Sequence, residues 1–192
     1  ASSILFVKDI RTQVYPSPKY AASVKACEIE RCIDDFHLNA INNGFTGSYV
    51  INFNNGKPNG SNIFEEDGDK DQWVLTDPNN TYISGTDESI AIYSNTYSSG
   101  ALYPDNYIHT AEKYAITKKS VLSWDARSAD PSNMYNKEHY GVVVSTDKNN
   151  WEVVWEATIN YTGFNHVMVS LEKYAGQEVY VGFRHFDCNG NE

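Results

Sequence analysis

The chain has 192 residues, of which 41% are hydrophobic and 21% charged, a balance that supports a folded core and excludes a disordered polymer. With 15 Lys and Arg against 25 Asp and Glu the net charge is -10, which argues against a nucleic-acid backbone as partner, since that binding needs clustered cations; calcium, basic proteins and neutral sugars remain. No apolar run approaches the ~18 residues that span a bilayer, so membrane insertion is not expected.

Residues 3 to 10, Ser-Ile-Leu-Phe-Val-Lys-Asp-Ile, are rich in β-branched and large apolar side chains and predict a buried strand. Pro16 and Pro18 interrupt regular structure between Arg11 and Tyr20 and mark a linker. The one helical candidate follows at 21–41, where Ile29, Ile33 and Phe36 form a mediocre apolar stripe, and Asn42-Asn43-Gly44 ends it with a turn.

From Ser48 onward the pattern is that of strands. Runs are expected at 49–53, 72–76, 89–94, 106–110, 120–126, 139–146, 151–159, 165–172 and 178–186, with Asn54 to Gly60 as a loop. Val167, Val169 and Leu171 share one face of their run, as do Val179, Val181 and Phe183 of theirs. Asp147-Lys148-Asn149-Asn150 has the form of a tight hairpin connection. Many short strands with Gly, Asn and Asp in the turns predict an all-β, antiparallel sandwich of jelly-roll type.

Charge is concentrated at 64–73, Phe-Glu-Glu-Asp-Gly-Asp-Lys-Asp-Gln-Trp. Asp67, Asp69 and Asp71 alternate and Gly68 permits a sharp bend, so their carboxylates, with Glu66, can converge on a hard cation; oxygen ligands in a flexible loop select calcium. The glycine stands too early for an EF-hand, and no glutamate occupies the twelfth position. The competing reading is a solvated acidic turn. Trp73 and Val74-Leu75 favour the ordered alternative, because they begin a strand that would anchor the loop on a core.

Tyrosine is abundant, with 14 residues. Tyr82, Tyr93, Tyr97, Tyr103, Tyr107 and Tyr135 are expected near one end of a sandwich, where rings can stack on apolar sugar faces or meet a protein surface, or else cover the core. Tyr97, Tyr103, Tyr107 and Tyr135 are the candidate ligand contacts.

No catalytic residue is expected. Glu138-His139 and Arg184-His185 lack a nucleophile at matching spacing and are read as structural groups that cap carbonyls or pair with carboxylates. Cys27 with His37 carries no thiol-enzyme signature, and Ser145 and Ser170 lack nucleophile-elbow glycines. The three cysteines, Cys27, Cys32 and Cys188, include no Cys-x-x-Cys pair, so thiolate metal ligation is not expected; Cys27 and Cys32 either form a bridge or remain free thiols.

Four ordered motifs carry a family resemblance: Pro104-Asp105-Asn106-Tyr107-Ile108, Leu122-Ser123-Trp124-Asp125-Ala126-Arg127, Glu138-His139-Tyr140-Gly141-Val142-Val143-Val144-Ser145 and Tyr180-Val181-Gly182-Phe183-Arg184-His185-Phe186-Asp187-Cys188. Between Tyr49 and Cys188 the chain resembles the cleaved adhesin domains of gingipain and haemagglutinin adhesin regions, the choice-of-anchor-J type. The resemblance implies a calcium-bearing jelly roll, secreted or on the bacterial cell surface, that binds host surface or matrix proteins or glycans without catalysis. The alternative is a carbohydrate-binding module appended to a hydrolase or protease. Asp67, Asp69, Asp71 and Trp73 occupy the place of the family's Asp-rich segment.

The family's last strand has no counterpart after Cys188, whereas Ile4 to Ile10 looks like it. The chain then divides into that strand (1–13), a linker with the helical candidate (14–47) and an adhesin-type jelly roll (48–192), and it is either a piece of a tandem array or circularly permuted. Residues 3 to 10 are expected to pair beside 178–186, within the chain or by strand exchange with a neighbouring repeat or chain. Asp9 would then lie near the acidic loop as a further calcium ligand.

Overall fold

The computed structural model describes residues 4–13, 49–51, 62–75, 92–96, 100–110, 112–129, 137–161 and 163–190. The helical candidate at 21–41 and the linker beyond Gln13, with Cys27, Cys32 and His37, lie outside the described residues, whereas Arg11 to Gln13 continue the first strand.

Twelve strands are described: β1 (Ile4–Gln13), β2 (Tyr49–Ile51), β3 (Asn62–Glu65), β4 (Val74–Leu75), β5 (Ile92–Asn95), β6 (Asn106–His109), β7 (Tyr114–Ala115), β8 (Val121–Ala129), β9 (Glu138–Ser145), β10 (Glu152–Ile159), β11 (Asn165–Ser170) and β12 (Glu178–His185). One sheet runs β11-β8-β1-β5-β4 with β2 beside β1, and the other runs β10-β9-β12-β6-β3 with β7 beside β12. Every pairing is antiparallel. The only helical element among the described residues is one 3-10 turn, Glu172–Tyr174. The expected all-β antiparallel sandwich is therefore the fold.

Leu5, Val7, Leu122, Trp124 and Ala126 of the first sheet share one buried cluster with Ile108, Tyr140, Val142, Val144, Val181 and Phe183 of the second. Trp124 is the pivot. Its Nε1 donates to Tyr140 Oη at 2.9 Å, and its ring meets Trp155 and Phe183 edge to face at centroid distances of 5.1 and 5.2 Å. Such contacts add to the area they bury, and the hydrogen bond satisfies an indole that would otherwise be stranded.

The alternations hold. Val179, Val181 and Phe183 are buried, and Leu171 is buried with Val167 and Val169 against the core, while Met168 between them is exposed. The Asp147 turn joins β9 to β10 as expected: its carboxylate accepts the backbone N–H groups of Asn149 and Asn150, both at 2.8 Å. Those bonds, with the Asn150 side chain, hold Asp147 well below the usual carboxylate range. The acidic stretch begins as a strand rather than a loop, because Ile63 packs on the core and Phe64 stacks on Tyr107 at 4.4 Å.

The placement of the first strand differs from expectation. β1 does not lie beside 178–186; it pairs within the chain with β8 along one edge and with β5 and β2 along the other. The reason is that β12 has no free edge, since β9 pairs with it on one side and β6 and β7 on the other. The gap that β1 fills is in the opposite sheet. Its register on β8 shifts between Lys8 and Arg11, a bulge that contains Asp9.

Leu5 and Val7 are both 0% exposed, so β1 contributes to the core as well as to the ladder. Leu5→Ala should lower unfolding stability by about 3 kcal/mol, and Val7→Ala by about 2 kcal/mol, read by urea denaturation at constant m-value. Loss below 0.5 kcal/mol in both would show that β1 is not part of the cooperative fold.

His109 makes the stability depend on pH. Burial, reinforced by Lys148 against its bond to Thr110 O, holds the imidazole below its ordinary pKa. The folded state then binds fewer protons than the unfolded state, so this contribution is full above pH ~6.5 and is lost as pH falls through the folded pKa. His109→Gln should show a smaller loss of melting temperature between pH 7 and pH 5 than the parent.

Candidate functional site

The acidic loop joins β3 of one sheet to β4 of the other, so it caps the end of the sandwich. Gly68 and Lys70 both have positive φ, 80° and 72°, and bend the chain sharply. Asp67 Oδ1 accepts the Asp69 N–H at 3.0 Å, and Asp69 Oδ1 accepts the Asp71 N–H at 2.7 Å. The Asp67 carboxyl also lies within hydrogen-bond reach of those of Glu65 and Asp69.

This crowding separates the two aspartates electrostatically. Partial burial opposes ionisation of Asp67, but the N–H groups of Asp69 and Asp105 outweigh it and lower its pKa. Asp69 is raised, by burial first and by the charges of Asp67 and Asp71, against the N–H of Asp71. Against Glu65, Glu66, Asp67, Asp69 and Asp71 the loop itself carries one cationic side chain, Lys70. Its donors are all oxygen, the set that fits a hard divalent cation.

Glu66 projects to solvent and its N–H donates to Asp105 O at 3.0 Å. The four expected ligands Glu66, Asp67, Asp69 and Asp71 thus share one loop, although their carboxylates are not drawn to a single point. The side chain of Asp9 lies outside the described residues.

Trp73 anchors the loop, as its position suggested. It is buried, and its Nε1 donates to Asn106 O at 3.0 Å. Asp105 is the second anchor: its N–H donates to Asp67 Oδ2 at 2.6 Å, while its own carboxylate receives Arg184 Nε at 2.6 Å and Nη2 at 2.8 Å. The Arg184 guanidinium lies 4.2 Å from the centre of the Phe186 ring and 5.2 Å from that of Tyr107.

Arg184, Asp105, Phe186 and Asn189 line a groove of about 310 Å³ with Tyr103 and Pro104. Tyr103 is 69% exposed and suits the expected contact role. Tyr107 does not: at 8% exposure its ring is clamped between Phe64 and Arg184, and burial followed by the Asp105 charge pushes its phenol up to about 12. It belongs to β6, where the strand alternation turns it against a neighbouring ring. Tyr97 and Tyr135 lie outside the described residues.

Beneath the groove is a buried polar cluster. His185 Nε2 lies 2.7 Å from Glu138 Oε2 and 3.3 Å from Cys188 Sγ, and His185 Nδ1 lies 2.8 Å from Ser94 Oγ. Burial opposes protonation of His185, yet Cys188 and Glu138 outweigh it and raise its pKa. The pairing of His185 with a carboxylate agrees with its expected structural role. His139 is likewise held, by Thr158 Oγ1 at 2.9 Å.

Sequence reasoning missed the roles of Asp105, Ser94 and Glu138 here. Asp105 stands 79 positions from Arg184 and Ser94 stands 91 from His185, separations that no local spacing rule spans. The signal within reach was burial parity, since Glu138 and His185 both fall in strands whose inward faces are otherwise apolar.

Comparison with known proteins adds the family. The model of the Cleaved Adhesin Domain matches residues 49–192. Two proteins named Hemagglutinin A, both from Porphyromonas gingivalis and one from strain W83, are 33% and 32% identical over 158 residues; the matched region covers 69% of this chain and 7% and 6% of theirs. This chain therefore spans a small fraction of those relatives. No solved structure matches it significantly. The ordered motifs, the antiparallel sandwich and the match over three quarters of its length agree: the chain belongs to the cleaved adhesin domain family.

Proposed function

We propose that this domain is a non-catalytic adhesin module of a secreted or surface-attached bacterial protein, held in shape by calcium and binding host proteins or glycans at the Tyr103 groove. One observation carries the reading: Asp105 bonds the acidic loop through its backbone and the groove wall through its carboxylate, so the loop's order is transmitted to the groove. Glu66, Asp67, Asp69 and Asp71 are the ligands we assign. Bound calcium would supply the charge that keeps these carboxylates together, and no chemistry beyond that.

The groove suits adhesion because it sets an exposed ring beside a carboxylate, a guanidinium and an amide. Rings stack on apolar faces while the polar groups fix orientation. The same composition supports a second reading, a carbohydrate-binding module appended to a hydrolase or protease.

Chelation should lower the melting midpoint by several degrees, with recovery on adding calcium but not magnesium, because a ligand that binds only the native state stabilises it by mass action. Asp67→Asn with Asp69→Asn should abolish the calcium response. A midpoint indifferent to calcium in the parent would remove the metal from the proposal.

Tyr103→Ala should weaken binding at least tenfold while leaving the melting midpoint within a degree, since the ring is exposed and packs on little. Binding is read on a glycan array and on immobilised host matrix proteins. Selective affinity for one sugar family would favour the module reading; protein-only binding favours the adhesin. Equal binding by parent and Tyr103→Ala would place the contact surface elsewhere.

A further inference from the structure

Glu138, His185 and Cys188 come from β9, β12 and the residues just after β12, and their side chains are almost fully buried, at 0%, 0% and 6% exposure. Among the described residues they alone form a group of three acidic, imidazole or thiol side chains whose ligand atoms all lie within 4.8 Å of one another. The separations are 2.7 Å for Nε2 to Oε2, 3.3 Å for Nε2 to Sγ and 3.7 Å for Sγ to Oε2. One nitrogen, one sulfur and one oxygen therefore converge on a single point.

The arrangement is not a nucleophile relay. A thiol–imidazole–carboxylate triad uses the two ring nitrogens separately, one for the thiol and one for the acid. Here Nε2 faces both, and Nδ1 turns away to Ser94 Oγ. What the geometry does match is a metal shell. Ligand atoms around a tetrahedral zinc, with bonds of about 2.0–2.3 Å, stand roughly 3.3–3.6 Å apart, so opening the Nε2 to Oε2 distance by about half an ångström seats the ion.

The surrounding residues are those a metal-binding histidine requires. With Nε2 given to a metal, Nδ1 keeps its proton and donates it to Ser94 Oγ, which also receives Asn106 Nδ2 at 3.1 Å; Thr96 Oγ1 donates to Glu138 Oε1 at 3.1 Å. Outer partners of this kind fix ligand orientation. Asn106 Oδ1, fully buried in the same network, has no hydrogen-bond donor among the described residues. Cys188 also lines the groove, so the cluster lies directly beneath the groove floor.

We propose that Glu138, His185 and Cys188 form a second metal site, distinct from the acidic loop, that takes a borderline transition metal of the zinc type. The mixed sulfur, nitrogen and oxygen set rejects calcium, which prefers oxygen throughout. Three protein ligands leave a four-coordinate ion one position for water or for a group entering from the groove.

The test uses the chain with Cys27→Ser and Cys32→Ser, so that only Cys188 supplies a thiolate. One equivalent of cobalt(II) added to chelator-treated protein should produce a sulfur-to-cobalt charge-transfer band with intense visible bands. Excess calcium should not displace them, and Asp67→Asn should leave them intact. Cys188→Ser should abolish the charge-transfer band, and Ser94→Ala should weaken affinity about 10–100-fold through loss of the histidine's partner.

X-ray absorption on the zinc-loaded parent protects the test against misfolding of the variants: one sulfur and two or three nitrogen or oxygen neighbours are expected. Absence of the charge-transfer band in the parent, its survival in Cys188→Ser, or a zinc shell without sulfur would each overturn the site.

Discussion

The Asp105–Arg184 pair holds together the end of the sandwich where function is proposed. Asp105 is the residue immediately before β6, and Arg184 is the penultimate residue of β12 on the adjacent strand, where it pairs with Tyr107. Two parallel N–H to oxygen bonds fix the guanidinium plane, and that plane then lies against Phe186 and Tyr107. A lysine in its place would keep the charge and lose both the fork and the stacking. Because Asp105 also spends its backbone on Asp67 and Glu66, the acidic loop has no independent position; it sits where the sheet's hydrogen bonding puts Asp105.

The core supplies the rigidity behind that node, and β1 is part of it. The family match begins at residue 49, yet the first sheet is continuous only with β1 between β8 and β5. A sheet with that strand withdrawn would present the unpaired edges of β8 and β5 and uncover the core at Leu5 and Val7. Leu122, Trp124 and Ala126 on β8 share that buried cluster, so a segment outside the matched region contributes to the packing of the family's own motif.

The fold was legible where alternation is strong. Val179, Val181 and Phe183, and Val167, Val169 and Leu171, revealed their inward faces because one face is apolar and the other is not. The acidic loop was legible through its charge and through Trp73, which closes it on the core. The strand-like look of Ile4 to Ile10 was also legible, but its partner was not: pairing depends on which edges remain free, and the occupancy of both edges of β12 is decided by β6, β7 and β9 far away in sequence. Tyr107 misled for a related reason. Tyrosine composition indicates rings at the surface, whereas the Phe64 stack and the Arg184 plane that bury this one come from β3 and β12. Counting cysteine pairs likewise passed over Cys188, because its neighbours are an imidazole and a carboxylate rather than another thiol.

The two proposed cation sites are close in the fold and separate in chemistry, and Trp73 stands between them. It ends the acidic loop two residues after Asp71, and its ring centre lies 6.2 Å from that of His185. Its Nε1 is committed to Asn106 O, the residue whose side chain donates to Ser94. On this proposal a hard all-oxygen loop on the outside and a buried sulfur–nitrogen–oxygen cluster on the inside would not compete for one ion, since ligand softness would favour calcium at the first and zinc at the second. They do share a wall. Anything that orders the loop against Trp73 fixes the ring that packs on His185, and anything that fixes His185 supports the strand that carries Arg184 into the groove.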